Sequence, residues 1–478
     1  MGKITKNYIY NLIYQVFVLI IPLVTAPYLA RTLGPHGTGV YGYINSVTSL
    51  VCTFVMLGIY NYGNRKVAYV RDNKSNLTRA FWEIIGARII ISVIGTAVYV
   101  VLIFLLNKYT IYFTIYYLYL LAYFIDCTWL YVGIEEMKWA VIKNAITKII
   151  AVVGIFVLVK SEQDLWLYIL IQGSSVLISN AIAYRQIKLF IDIRTPIFKS
   201  VVRDLKGAFI LFLPSVANTV YLQCDKIMIE AITGGTSQVA FYDYSEKIVT
   251  IPLTFITVVS TVMMPRIANE FAKGNKTEMS RLLNKAAKFS VFLAFPMMFG
   301  LIAIAHKLVP WYLGNDFMST SVAICIIAPI VVANSLAGVS GGQYFTATNQ
   351  IGILTKAQIG AAVGNIIINA ILIPKYGFIG AAIATVISSL FCATYQYYCL
   401  VKQIRLPGLL ISCIKYFVSS LVMYIIIYVI SKNMEATYVT TIIQVLIGTT
   451  IYIGIQLLLK DEQVHYVIGT LKKKIVGR

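Results

Sequence analysis

Apolar runs long enough to cross a bilayer recur along this chain from one end to the other. A membrane-spanning helix needs about 20 predominantly apolar residues. In lipid every backbone N–H and C=O must find its partner within the protein, which for runs of this length means α-helix. The composition agrees. The chain is 59% hydrophobic and 12% charged, where soluble domains carry roughly a quarter charged residues. No long Pro-, Ser- or Gly-rich linker interrupts the pattern, so it reads as one membrane unit without soluble domains. The runs fall at roughly 8–30, 40–62, 80–106, 109–132, 139–160, 165–185, 207–232, 239–264, 285–306, 320–345, 352–373, 378–401, 408–430 and 437–459. They predict an all-α, polytopic bundle of about fourteen transmembrane helices. Lys3 and Lys6 precede a first run with no small-residue cleavage motif, so that run is expected to remain as a helix.

The net charge of +21 would suit nucleic acid if it formed one patch. It does not. Alternate connections carry Arg65, Lys66, Arg71, Lys74 and Arg79, then Lys138, then Arg185, Lys188, Arg194, Lys199, Arg203 and Lys206. Further along come Arg266, Lys273, Lys276 and Arg281, then Lys402 and Arg405, then the tail with Lys472, Lys473, Lys474 and Arg478. The intervening connections hold about one cation each: Arg31, Lys108, Lys160, Lys307, Lys375 and Lys432. This is the positive-inside asymmetry. With an even number of spans it places both termini in the cytoplasm of a cell-membrane protein and assigns the surplus charge to topology and lipid headgroups, not to nucleic acid.

Catalytic and metal chemistry find no foothold. The seven cysteines are scattered without a CxxC pair and the three histidines are isolated, so neither a disulfide framework nor a metal site is expected. Gly37-Thr-Gly39-Val-Tyr-Gly42 matches GxGxxG but follows no strand, so it reads as a turn and a close helix approach rather than a dinucleotide fingerprint. No phosphate-binding loop and no Ser/His/Asp set occur, and the outward loops are short. No enzyme activity and no cofactor are expected. The cytoplasmic connection at 265–285 contains Asn269–Arg281, which fits either an amphipathic stretch on the inner surface or a solvated linker.

A faint repeat is present. Shifting the numbering by 201 brings Leu33-Gly34 and Val40-Tyr41-Gly42-Tyr43 onto Gly234-Gly235 and Phe241-Tyr242-Asp243-Tyr244. An even number of helices between the two turns makes this a parallel pseudo-repeat. It predicts a six-helix lobe at 1–195, a second at 196–405, and two additional C-terminal helices with a basic tail at 406–478.

Polar residues at membrane depth must face protein or water. Asn7, Asn11 and Gln15 share one face of the first run, ahead of Pro22 and Pro27. Asn218 and Asp225 lie in the seventh; Lys247, Thr250, Thr254 and Thr257 share a face of the eighth; Asn334 and Gln343 lie in the tenth; Asn365 and Asn369 in the eleventh. Each taken alone is more often helix–helix glue than a substrate contact; together they describe wet inner faces around a cavity. Arg88 and Lys148 are cations at depth, open to a snorkelling role or to an anionic cargo. Asp225 and Lys247 sit at similar depths on adjacent runs and are expected to pair.

Several segments resemble the Wzx-type polysaccharide flippases: Asn11, Pro22 and Pro27 through Leu33-Gly34 to Gly42; Gly58-Ile and Gly63-Asn-Arg65-Lys66; Asp225-Lys226 with Tyr242 and Glu246-Lys247; and Pro374-Lys-Tyr-Gly377-Phe-Ile-Gly380. The order of these pieces covers the whole chain. The resemblance implies the multidrug/oligosaccharidyl-lipid/polysaccharide exporter superfamily, two lobes around a central cavity and alternating access. It implies undecaprenyl-pyrophosphate-linked capsule or O-antigen repeat units as cargo, membrane lipids as surroundings, and polysaccharide polymerase and assembly proteins as partners. Asn11, Gln15, Arg88, Lys148, Asn218, Asp225, Lys247, Asn334 and Asn365 are the candidate cargo contacts. The first run lacks arginines before Arg31, unlike the peptidoglycan-precursor flippases. The alternative in the same superfamily is a drug or cation antiporter, with Asp126 as its coupling acid.

Overall fold

A computed structural model describes residues 3–210, 212–465 and 469, with side chains except at 3–17, 19, 137, 140, 210, 213–215, 217, 218 and 257–262. The described chain is all helix and connecting turn, in two compact units: Met1–Ala231 with Gly235–Ala240, and Ile232–Gly234 with Phe241–Arg478.

The first unit holds α1 (Lys3–Met56), α2 (Ile59–Val70), α3 (Lys74–Leu106), α4 (Thr110–Phe124), α5 (Thr128–Gly133), α6 (Met137–Leu158), α7 (Leu165–Ile187), α8 (Phe198–Ile210) and α9 (Leu213–Thr233). The second holds α10 (Thr236–Ala272), whose first turn belongs with the first unit, then α11 (Lys276–Tyr312), α12 (Met318–Ile327), α13 (Ile330–Ala337), α14 (Ile351–Tyr376), α15 (Phe378–Val401), α16 (Leu409–Ser431) and α17 (Tyr438–Leu458).

Local chemistry sets the ends. Asn73 caps α3 by accepting the backbone N–H of Asn76 at 3.1 Å, and Asn275 caps α11 through the N–H of Glu278 at 3.1 Å. The long helices are apolar around their whole circumference, as lipid requires. In α3, Ile89, Val93, Val100 and Phe104 face outward while Ile84, Ala87, Gly95 and Tyr99 are buried. One core of the first unit is built on Leu33, Ile44, Phe113, Leu120 and Ile169, another on Val67, Phe81, Trp129 and Leu130.

Among the described residues, ten helices are long and apolar enough to cross a membrane, or eleven if the pair Asn315–Ile327 and Ile330–Phe345, bent by 47°, forms one span. Two causes separate this from the expected number. The first two runs are fused, because α1 passes through the expected outward turn with a single kink at Gly34 (φ 63°, ψ −179°). Pro35 excludes helical ψ at the residue before it, and glycine accepts the positive φ that results. The expected runs 207–232 and 239–264 contain residue 211, outside the described set, and positions 210, 213–215, 217, 218 and 257–262, whose side chains are not described.

Three further departures bear on the site. The fourth run is broken, α4 ending at Phe124 and α5 starting at Thr128. The tenth contains a π-helical stretch, Gly338–Phe345. The connection 184–206, expected on the cytoplasmic side, carries an amphipathic helix, α8, whereas 265–285 has no separate surface helix: α10 runs to Ala272, Gly274 turns at φ 71°, and α11 begins at Lys276.

Candidate functional site

The break between α4 and α5 exposes backbone in an apolar bundle, and such groups must be satisfied by protein. Arg88 of α3 does this. It is 1% exposed, its Nη1 donates to the Asp126 carbonyl, and the same nitrogen lies 3.8 Å from Asp126 Oδ2. Trp129 Nε1 also donates to that carbonyl at 3.2 Å. Asp126 Oδ1 accepts from the Thr128 backbone N–H at 3.0 Å and its hydroxyl at 2.5 Å, so the carboxylate caps α5. Arg88 Nε is buried with no hydrogen-bond partner among the described residues. Arg88 therefore does not snorkel; it points into the protein.

Beside the break, Lys143 of α6 is buried and donates to Asn180 Oδ1 of α7 at 3.1 Å and to Asn144 Oδ1 at 3.2 Å. Ser179 donates to Asn144 Oδ1 at 2.6 Å, and Asn180 Nδ2 to the Ala122 carbonyl at 2.9 Å. Lys148 follows five residues after Lys143 on α6 and is half-buried. A polar layer thus joins α3, the α4–α5 break, α6 and α7, with the cations Arg88 and Lys143 near the carboxylate of Asp126 and Lys148 further along α6. Lys143 escaped the sequence reading although it adjoins Asn144. Its signal was a Lys-Asn dipeptide well inside an apolar run.

A second charge cluster ties α2, α3 and α8. Lys66 Nζ lies 2.8 Å from Glu83 Oε2 and 2.5 Å from Asp204 Oδ2. Arg79 Nε contacts Glu83 Oε1 at 2.9 Å and Tyr62 donates to Asp204 Oδ1 at 2.8 Å. Both carboxylates are buried, and their partners keep them from being isolated charges.

The other candidates are dispersed. Asn11, Gln15 and Asn218 lie outside the residues whose side chains are described. Asp225 is buried on α9 in the first unit. The ion pair the structure gives Lys247 is with Asp243, one turn earlier on α10, at 2.5 Å, and the Lys247 side chain remains 49% exposed. In the second unit Asn334 is half-buried on α13. Asn365 is fully buried on α14, accepts from Asn369 Nδ2 at 3.1 Å, and leaves its own Nδ2 without a partner among the described residues. Near the π-helical stretch Ser340 donates to Gln396 Oε1 at 2.9 Å, and Tyr242 and Thr385 share a hydrogen bond of 2.8 Å. Among the described residues no group of His, Cys, Asp and Glu could hold a metal ion.

Long, kinked apolar helices with polar layers at depth define a multi-pass membrane protein of the transporter class. The fold is shared with a lipid II flippase MurJ in an inward closed conformation (TM-score 0.69, 18% identity, 95% of this chain and 99% of that one). The profile of the polysaccharide biosynthesis protein family matches residues 4–271, and this chain belongs to that family. The profile of lipid II flippase MurJ matches residues 138–448. Among individual relatives, a "Putative O-antigen transporter" of Escherichia coli (strain K12) is 25% identical over 387 residues, covering 80% of this chain and 92% of that protein. The capsular polysaccharide biosynthesis protein CapF of Staphylococcus aureus is 22% identical over 408 residues, covering 84% and 99%. This is a transporter family, not a family of enzymes.

Proposed function

We propose that this protein carries an undecaprenyl-pyrophosphate-linked oligosaccharide repeat unit, of capsule or O-antigen type, from the inner to the outer leaflet of the cell membrane by alternating access. The observation that carries the reading is the polar layer of the first unit, where Arg88 and Lys143 are buried beside Asp126 and Lys148 follows on α6. A pyrophosphate cannot cross hydrocarbon without compensation, and a cationic layer at membrane depth supplies it. Fourteen spans, lobes at 1–195 and 196–405, helices at 406–478 and cytoplasmic termini are the topology that goes with it. Gly34 dividing α1, and α9 and α10 standing as separate helices over the expected seventh and eighth runs, support that number.

Asn11, Gln15, Arg88, Lys148, Asn218, Asp225, Lys247, Asn334 and Asn365 form the proposed contact set. Lys148 and Lys247 keep accessible surface and meet the headgroup directly. Arg88 acts through the helix break it closes. Capsule or O-antigen polymerase and assembly proteins take the delivered unit. The drug or cation antiporter reading draws less support, because its acid, Asp126, is engaged by Arg88 and Thr128 rather than left to exchange a proton.

Proteoliposomes loaded with a fluorescent polyprenyl-pyrophosphate oligosaccharide test the proposal. Wild-type protein should move it between leaflets, and Lys148→Ala should slow movement roughly tenfold, a barrier change of about 1.4 kcal/mol, with the protein stably inserted. Absence of movement by wild type, together with efflux of a cationic dye against a proton gradient, would favour the antiporter.

A further inference from the structure

An apolar groove of about 930 Å³ runs along the first unit between α1, α3 and α8. Its floor is set by Gly95, where an added Cβ would collide with Val55, so α1 and α3 touch there. Its walls include Phe54, Ile94 and Val98, all substantially exposed, with Phe212 against one side of the Phe54 ring. Along α3 the lining extends from Ile90 to Leu102, about 18 Å at 1.5 Å per residue. At one end stands α8, contributing Phe209 and a single cation, Lys206. On the topology proposed above, that end is the cytoplasmic one.

Lys206 differs from its neighbours. Asp204 is held by Lys66 and Tyr62, and Arg203 lies 3.9 Å from Glu83. Lys206 is exposed and makes no ion pair among the described residues. A lone ammonium at the inner mouth of an otherwise apolar groove complements one phosphate attached to one hydrocarbon chain. The groove's length is close to one leaflet, about 15 Å of hydrocarbon. An undecaprenyl chain far overruns a wall of that length, whereas an acyl chain ends within it. The geometry points to a binding site for an anionic phospholipid of the inner leaflet, its phosphate on Lys206 and one acyl chain in the groove. Bound there, the lipid fastens the apolar side of α8 to α1 and α3, while the Lys66–Asp204 cluster fastens its polar side. The inference rests on the inner placement of α8 and not on the identity of the cargo.

The test uses the full-length protein released from membranes into detergent, with retained lipid counted by native mass spectrometry after exposure to equal amounts of phosphatidylglycerol and phosphatidylcholine of one chain length. Wild type should retain one phosphatidylglycerol in preference. Lys206→Gln should reduce that preference roughly fivefold, the effect of one cation near a membrane anion. Val98→Trp, filling the groove from an exposed position, should abolish retention of both lipids. Lys199→Gln, on α8 but away from the groove lining, should change nothing. A phosphatidylglycerol with a photoreactive acyl chain should label wild-type α3 near Ile94 and Val98, which needs no variant to fold. Equal retention of the two lipids by wild type, an unchanged preference in Lys206→Gln, or labelling confined to other helices would overturn the assignment. Displacement of phosphatidylglycerol by equimolar undecaprenyl phosphate would overturn it in favour of the cargo's own chain. None of these outcomes alters whether the protein translocates its cargo in proteoliposomes, so the two readings stand or fall separately.

Discussion

Removing the Arg88 guanidinium would leave the Asp126 carbonyl to Trp129 and its carboxylate to Thr128, with no opposite charge from Arg88, in a bundle that offers little water. Breaking a buried pair from one side typically costs about 3–5 kcal/mol. Arg88→Ala is therefore expected to lower the thermal unfolding midpoint strongly, and the double variant Arg88→Met with Asp126→Asn to recover part of the loss, both measured by fluorescence-detected unfolding in detergent. An equal loss in single and double variants would mean that the pair is not the relevant contact. Lys247 teaches a different lesson about reading residues. Its expected partner was Asp225 across the hairpin, but Asp243 stands four residues earlier on its own helix, the spacing that brings helical side chains together. That spacing was available in the sequence. What was not available is the half-exposed position of the Lys247 side chain beside a buried Asp243, which leaves the lysine open to a headgroup. Exchanging the two charges, Asp243→Lys with Lys247→Asp, should preserve insertion yet lower translocation if Lys247 meets cargo, and leave translocation intact if the pair only pins the helix.

At the level of elements, apolar runs announced the helices plainly, because lipid leaves the backbone no alternative. Breaks and close approaches were harder to see. The Gly34-Pro35 dipeptide reads as a loop by turn statistics, yet the bundle keeps both flanks helical and confines the change to one residue. The GxGxxG match resolves into one demanding position: a Cβ on Gly39 would meet the Thr236 carbonyl at the start of α10. Gly39→Val should force these helices apart and reduce the yield of monodisperse protein, whereas Gly454→Ala, with open space around its position, should not. The cap between α6 and α7 has a pH signature. Asp164 lies outside the spans, and the backbone N–H of Lys160 together with the Ser161 hydroxyl and N–H hold its pKa below the usual carboxylate range. A depressed folded pKa contributes stability above the unfolded value, about 3.9, and loses it as pH falls through the folded one. Hydrogen exchange at 160–165 should be faster in Asp164→Asn than in wild type at pH 6, and the two should converge once the pH falls below the depressed folded pKa. A difference that persists at low pH would assign the effect to something other than the carboxylate.

The whole molecule turns on sidedness, which charge distribution alone made legible. Cations cluster on alternate connections, and α8 with its Lys66–Asp204 anchor lies on the same side as the most basic of them if fourteen spans are present. Fusing the first two runs into one crossing would reverse every later segment, so accessibility at a few positions decides the count. Ser161 is unsuitable for labelling because its side chain completes the cap with Asp164. Gln163 beside it is exposed, as are Ser75 in the first turn of α3 and Lys276 at the start of α11, and Ser237 opens α10. Single cysteines at Gln163 and Ser237, in a background lacking the native cysteines, should react with a membrane-impermeant maleimide in intact cells. Cysteines at Ser75 and Lys276 should react only after the membrane is opened. One crossing too few in α1 would leave the four sites divided into the same pairs but exchange inside for outside. A miscount between α9 and α10 would instead split the pairs, moving Lys276 to the side of Gln163. The pattern therefore tells whether the count fails and also at which helix, and it fixes whether Lys206 and the groove beside it face the inner leaflet.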